Sequence, residues 1–222
     1  DAGDPWAGAP PDTCKPGAPW DGKSPLWVDR TEKSGLAAQG VVGIRLSTAD
    51  LDGDYRPELF ARSMAGQGNR EAWEAGKRRI FLLKAKVGDG GFAFDDITQG
   101  SGVLATRDGQ QGRQAHVVVY ADVDNDGDLD VFAGNSVPGD PKKDLFSGDA
   151  SELLLNDGKG VFALATANPF AAKDLRRSLS SASFVDYDRD GAVDLWLGYT
   201  SWPTTGGDLP IQDQLLRGDG KG

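Results

Sequence analysis

The sequence predicts an all-β fold built from repeated units of about four short antiparallel strands. The 222 residues include 31 glycines and 12 prolines, a content that favours turns and short strands over long helices. A nine-residue acidic pattern occurs three times, beginning at residues 50, 122 and 186. Apolar runs recur in the same order around each copy, which indicates a structural repeat of about 65 to 70 residues.

Within each repeat, the apolar runs are short, are rich in Val, Phe, Leu and Trp, and are bounded by turn residues. One run precedes the acidic loop, a second follows it, and a Gly-rich turn separates the third from the fourth. The predicted strands are 41–49, 59–64, 80–86 and 92–98 in the first unit, 115–121, 131–136, 152–156 and 161–166 in the second, and 180–185, 195–200 and 214–218 in the third.

The two ends of the repeat array are complementary. The third unit has no fourth strand, whereas "LWVDRT" (26–31) resembles a fourth strand that no third strand precedes. Known propellers have about 4–8 blades of four strands, so about three blades suggest a segment of a larger propeller or assembly. We expect either further blades in a longer native chain or other copies, with 26–31 of one copy pairing with 214–218 of the next. Residues 1–25 are Pro/Gly-rich and are interpreted as an irregular arm before the propeller segment 26–222.

The three acidic loops read "DLDGDYRPE", "DVDNDGDLD" and "DYDRDGAVD", with an acid at positions 1, 3, 5 and 9 of each. Neighbouring carboxylates repel one another, and a bound cation would turn this repulsion into shared attraction. Twelve of the 34 acidic residues occupy these positions, and the 24 Lys and Arg residues nearly balance the others. The net charge of −10 is therefore concentrated in the loops.

Alternating oxygen ligands on a tight turn suit Ca²⁺, which takes about 6–8 oxygens, often with one main-chain carbonyl. An EF-hand is excluded, because the flanks are predicted strands and position 12 lacks the required Glu. The predicted ligands are the four acids and the carbonyl of position 7: Asp50, Asp52, Asp54, Arg56 and Glu58; Asp122, Asp124, Asp126, Asp128 and Asp130; and Asp186, Asp188, Asp190, Ala192 and Asp194.

Position 6 distinguishes the first loop from the other two. Gly127 and Gly191 occupy this position, where a left-handed backbone is convenient, but the first loop has Tyr55 there and its glycine at position 4. The first loop is therefore predicted to be the weakest of three structural calcium sites.

These stretches resemble the FG-GAP/VCBS repeat family of calcium-loop β-propellers, which includes the heads of integrin α-chains. The resemblance covers about residues 26–222 and rests on "ADLDGDYRPELF", "ADVDNDGDLDVFAGN" and "VDYDRDGAVDLWLGY", and on "LLLNDGKGVFALAT". It implies propeller blades, one Ca²⁺ per acidic loop, an extracytoplasmic location (secreted or periplasmic), and a role in recognition, adhesion or assembly with other protein chains. It implies no reaction.

Charge and composition limit the other functions. An acidic chain is a poor candidate for binding nucleic acid or an anionic membrane, and no apolar run approaches the roughly 18 residues of a membrane span. The start at Asp1 rather than Met is typical of a processed export signal. Cys14, the only cysteine, can form no internal disulfide.

Several weaker signals leave alternatives open. A carbohydrate-active enzyme or a lectin-like glycan binder would use one propeller face, with Trp73, Trp196, Tyr199 and Trp202 as sugar-stacking candidates, although such aromatics more often fill blade interfaces. His116 is the only histidine, and no catalytic constellation accompanies it. "RGD" (217–219) aligns with a predicted hairpin turn, and "NREAWEAGKRR" (69–79) is a candidate short helix.

Overall fold

The described part of the chain contains strands and turns and no α-helix, which confirms the all-β class. The chain divides into two compact units, 1–30 and 31–222. In this part, no helix is long and apolar enough to cross a membrane. The computed structural model describes residues 19–41, 43–63, 80–88, 91–107, 109, 115–135, 151–167, 170, 179–199, 203–204, 207–208 and 212–221.

The first sheet has four antiparallel strands in chain order. They are β1 (Gly43–Ala49), β2 (Glu58–Ser63), β3 (Ile80–Gly88) and β4 (Gly91–Asp96). Each strand lies within about two residues of its predicted bounds, because alternating apolar residues and Gly-rich turns fix both ends.

The second sheet repeats this arrangement, again with four antiparallel strands in chain order. They are β5 (Val117–Ala121), β6 (Asp130–Gly134), β7 (Glu152–Asn156) and β8 (Phe162–Leu164). The burial of β7 alternates along the strand, as expected for a strand with one well-covered face.

In the part of the chain that is described, the third sheet has three strands, in the order β13-β10-β9, as the sequence predicted. They are β9 (Leu179–Val185), β10 (Asp194–Tyr199) and β13 (Gln214–Leu216). A two-stranded ribbon of β11 (Pro203–Thr204) and β12 (Gly207–Asp208) lies between β10 and β13 in the sequence.

The sheets pack against one another in chain order through two apolar clusters. Phe60 of the first sheet packs with Val131 and Leu154 of the second. On the opposite face of the second sheet, Phe132 packs with Leu195 and Leu197 of the third. The first strands β1, β5 and β9 are neighbours across these interfaces. A third cluster covers the outer face of the first sheet with residues of the 31–41 segment.

The described part of the N-terminal unit, residues 19–30, contains no strand. The predicted strand 26–31 therefore does not form within the single chain, and its pairing with another sheet stays a prediction. The Asp21 carboxylate accepts the Ser24 hydroxyl and the main-chain N–H groups of Ser24 and Lys23, and these bonds lower its pKa to about 2. Most of the predicted arm and the candidate helix 69–79 lie outside the described residues.

Candidate metal centre

The three acidic loops occupy equivalent places, each joining the first strand of a sheet to the second. Position 1 follows the last residue of the first strand, and position 9 is the first residue of the second strand. The strand pairing thus holds both ends of every loop, and the loops lie at the same end of their sheets.

The position 9 acids are the most deeply buried members of the loops. Glu58 is 1% exposed, and Asp130 and Asp194 are 0% exposed. Each carboxylate accepts the main-chain N–H of position 2 across the loop, which closes the turn. These bonds join Leu51 to Glu58 (2.8 Å), Val123 to Asp130 (3.0 Å) and Tyr187 to Asp194 (3.0 Å).

The carboxylates at positions 1 and 5 also fold back onto the loop. Asp122 accepts the N–H of Asp126 at 3.1 Å and that of Gly127 at 3.0 Å, and Asp186 makes the same pair of bonds in the third loop. In all three loops the position 5 carboxylate accepts the N–H of position 7, at 2.9 to 3.0 Å. The turn geometry is therefore specified by the acids themselves, as in Asx turns.

Three of the four predicted side-chain ligands converge in every loop. The carboxylates of positions 1, 3 and 9 each offer an oxygen, and these oxygens all lie within 4.8 Å of one another. The position 5 carboxylate lies outside each group and accepts the main-chain N–H of position 7 instead. The converging sets are Asp50, Asp52 and Glu58; Asp122, Asp124 and Asp130; and Asp186, Asp188 and Asp194. Asp54, Asp126 and Asp190 are the position 5 residues that stay outside.

The donor sets fit a hard cation. Three carboxylate oxygens in the first two sets are buried without a hydrogen-bond partner: Asp50 Oδ1, Glu58 Oε1 and Asp124 Oδ1. A buried acceptor left unpaired costs about 1–3 kcal/mol, and more when it is charged. Oxygen atoms grouped in this way satisfy the preference of Ca²⁺ for hard oxygen ligands.

The pKa values of the buried acids reflect the same shortage of positive charge in the loops. Burial, with repulsion from neighbouring aspartates, raises the pKa of Glu58 from 4.5 to about 7. Burial likewise raises the pKa of Asp130 to about 6, although two main-chain N–H groups oppose the shift. The pKa of Asp124 is also raised, by desolvation and by Asp126 and Asp122. Without a cation, burial first and mutual repulsion second favour the protonated form of each of these groups.

The loop backbones need left-handed residues at positions 4 and 6. Position 6 has φ of 65° at Tyr55, 97° at Gly127 and 88° at Gly191. Position 4 also has positive φ, 60° at both Asn125 and Arg189. Only the first loop places a bulky side chain at position 6, where the strain is of order 1–2 kcal/mol.

Contacts from the third strand of each sheet, or from the residue directly after it, were not predicted from sequence. Lys84 contacts Asp52 and lies 3.7 Å from Asp54, and Arg217 contacts Asp188 at 2.8 Å and Asp190 at 2.5 Å. The strand register places Leu155 at the corresponding position of the second sheet. The first and third loops thus have an internal cation beside their acids, and the second has an apolar side chain.

Asn156 connects the loops of two sheets. Its side-chain amide donates to the carbonyl of Leu51 in the first loop (2.7 Å) and to that of Leu129 in the second (3.0 Å). Its main-chain N–H donates to Asp130 Oδ1 at 2.8 Å. An Asn at the end of a strand, before a Gly-rich turn, gives no sequence signal for this role.

The other sequence signals have definite places. Arg217 of "RGD" is engaged by the third loop, and Asp219 accepts the N–H of Lys221 as part of a turn. His116 lies between two arginines, away from the acidic loops. Trp73 and Trp202 lie outside the described residues. A scan against known family models and a search of curated proteins found no match for this chain.

Proposed function

We propose that this chain is a calcium-stabilised β-propeller segment of the FG-GAP/VCBS type, acting outside the cytoplasm as a scaffold for recognition, adhesion or assembly. The observation that carries the proposal is the threefold repetition of one donor set, in which the carboxylates of positions 1, 3 and 9 converge in each loop. Repetition at equivalent places in three sheets distinguishes a built site from a chance group of acids.

In this proposal, the converging carboxylates and the carbonyls of Arg56, Asp128 and Ala192 hold one Ca²⁺ per loop. The ion supplies positive charge that offsets the repulsion among the acids. Because position 9 starts the second strand and position 1 follows the first, binding would link two strands of each blade. Metal affinity would then add directly to folding stability.

The exposed face of the third sheet supports a larger propeller. The third residue of the second strand is buried in the first two sheets, as Phe60 and Phe132, because the following sheet covers it. The equivalent Trp196 is 53% exposed, and its cross-strand partner Leu215 is 42% exposed. We infer that a further sheet of the same type packs on Trp196, supplied by more blades or by another copy of the chain.

Calorimetric titration of the EDTA-treated protein with Ca²⁺, together with its melting temperature, tests the calcium role. Each site that is saturated at about 100 times its Kd should add about 2.7 kcal/mol of stability. Mg²⁺ should substitute poorly, because it requires a tighter octahedron. Absence of both heat and a melting shift in excess calcium would refute the proposal.

A further inference from the structure

A cavity of about 450 Å³ lies near the ends of the strands opposite the acidic loops. Residues of the first strands of all three sheets line it, together with Arg62 of β2. Arg45 is five residues before the first acidic loop, so its main chain is roughly 15 Å from that loop along the strand. The cavity lining extends toward the loop as far as Phe60 of β2. The size is within the range of small-molecule sites, about 300–1,000 Å³.

Two arginines face each other in this cavity. Arg45 and Arg62 are direct cross-strand partners in the β1–β2 ladder. Like charges placed directly opposite one another destabilise a sheet. The repeat does not require them: the same register position has Val117 opposite Gly134 in the second sheet and Ser181 opposite Gly198 in the third.

Arg62 is a buried cation with no carboxylate partner among the residues that the structure describes. It is 7% exposed, and its Nε has no hydrogen-bond partner. Among the described residues, no carboxylate pairs with Arg62 or with Arg45. Burial and the charge of Arg45 lower the pKa of Arg62. A buried charge without a counter-ion is strongly unfavourable.

His116 does not supply the missing acceptors. Arg45 Nη2 lies 3.0 Å from His116 Nε2, and Arg62 Nη1 lies 2.8 Å from Nδ1. A neutral imidazole has one acceptor nitrogen and one N–H, and a charged imidazole has no acceptor. In either state, at least one guanidinium points its N–H at a nitrogen that cannot accept it. Burial and the two arginines lower the pKa of His116 to about 4, which keeps the ring neutral.

We propose that the Arg45–Arg62 cavity binds an oxyanion group of a small ligand, a carboxylate or a sulfate or phosphate ester. Such a group has several lone pairs, accepts from both guanidinium groups, and supplies the counter-charge that no described carboxylate gives the pair. Ser47, Ser180 and Ser181 line the same cavity and would contact polar groups of the ligand. The site is separate from the calcium loops and does not depend on their function.

The test uses the calcium-saturated full chain at constant ionic strength, with chloride as the background anion. Sodium sulfate, inorganic phosphate, acetate and glucuronate are titrated separately, and binding is followed by the NMR signal of the Arg62 Nε–H and by the melting temperature. We expect at least one anion to shift the Arg62 signal in a saturable manner. Comparing sulfate and phosphate with acetate and glucuronate shows whether the cavity prefers a tetrahedral oxyanion or a carboxylate.

Two variants and a matched control complete the test. Arg62→Gln and the more exposed Arg45→Gln should each weaken anion binding at least tenfold, whereas Lys86→Gln, which removes one exposed positive charge elsewhere on the first sheet, should not. In the chloride buffer without any of the four test anions, Arg45→Gln should melt at or above the wild-type temperature, and with a saturating test anion it should melt below it. No saturable shift with any of the four anions would overturn the proposal. So would an equal loss of melting temperature in Arg45→Gln with and without anion, since the pair would then be structural.

Discussion

The first and second acidic loops have the same pattern of carboxylates but differ in how their charge is compensated. In the second loop both oxygens of Asp130 accept main-chain N–H groups, from Val123 and Asn156. In the first loop Glu58 accepts only the N–H of Leu51, and its other oxygen is buried without a partner. The longer Glu side chain keeps the closing bond but loses the one from the third strand.

Compensation of the acids by a basic side chain from a neighbouring strand differs in the opposite direction and favours the first loop. Lys84 contacts the acids of the first loop, while the register equivalent in the second sheet is Leu155. The first loop thus combines an unmet buried acceptor with an internal cation. The second combines a well-bonded position 9 carboxylate with an unpaired buried oxygen of Asp124 and with no described cation beside its acids. Burial and the charges of Asp126 and Asp122 also raise the pKa of Asp128 in this loop. One motif therefore marks the place of a candidate site, and we expect its neighbours to set the cation affinity.

The largest expected difference in stability between the two loops comes from removing the position 9 acid of each. In EDTA, Asp130→Ala leaves two buried N–H donors without partners and should lower the free energy of unfolding by about 3 kcal/mol. Glu58→Ala leaves one such donor and should lower it by about 1.5 kcal/mol. Urea denaturation measures both values, and equal losses would contradict the comparison.

The second prediction concerns pH. The raised pKa values of Glu58, about 7, and Asp130, about 6, mean that the folded chain without metal binds more protons than the unfolded chain. The stability from these protons is present below the ordinary carboxyl pKa and is lost as pH rises through 6 to 7. In EDTA these two groups alone should therefore lower the free energy of unfolding by about 4 kcal/mol between pH 5 and pH 8, and the opposing shift of His116 should reduce the net fall to about 2 kcal/mol.

Calcium should abolish this fall, because the ion replaces the protons. The lowered pKa of His116 acts in the opposite direction, as stability falls when pH drops below about 6.5, but it contributes equally with and without calcium. Glu58→Gln should remove more of the slope than Asp130→Asn, since Glu58 has the higher pKa. Urea midpoints across this pH range provide the measurement, and identical slopes in EDTA and calcium would exclude this explanation.

Sequence alone predicted the strands and the loops, because both depend on local signals. Runs of apolar residues predicted β1 and β2, the spacing of aspartates marked the loop between them, and a Gly-rich turn marked the end of β3 and the start of β4. The interactions of Lys84 and Asn156 were not predictable, since each depends on which residues of the third strand the sheet register places beside a loop. Convergence of positions 1, 3 and 9 without position 5 depends on the turn geometry, in which the position 5 carboxylate caps position 7.

The third prediction tests the backbone of the two loops. Gly127→Ala forces a side chain into a position with φ of 97° and should lower stability by about 1 kcal/mol. Tyr55→Gly relieves the strain of a residue with φ of 65°. Glycine also increases the conformational entropy of the unfolded chain, which offsets part of this gain, so stability should rise by about 0.5 kcal/mol. Thermal denaturation in saturating calcium compares the pair. If Tyr55→Gly is the more damaging change, strain at position 6 does not distinguish the loops.

The smallest effect should come from Lys84, whose ammonium competes with a bound cation for the carboxylates of the first loop. The side chain is 39% exposed, so the pair contributes no more than about 1 kcal/mol. Lys84→Met should therefore raise the calcium affinity of the first loop about fivefold. The affinity is measured by calorimetry in an Asp122→Asn, Asp186→Asn background, which leaves the first loop as the intact site.

Lys86→Met is the matched control, because Lys86 lies two residues along the same strand and pairs with Asp95 away from the loop. It should leave calcium affinity unchanged. In EDTA, Lys84→Met should also lower the melting temperature, since the first loop then has neither metal nor ammonium to compensate its acids. Equal affinities in the two lysine variants would show that the first loop is limited by Glu58 and Tyr55 rather than by its internal cation. A rise confined to Lys84→Met would show that an aspartate-rich loop can be weakened by a basic residue on a neighbouring strand.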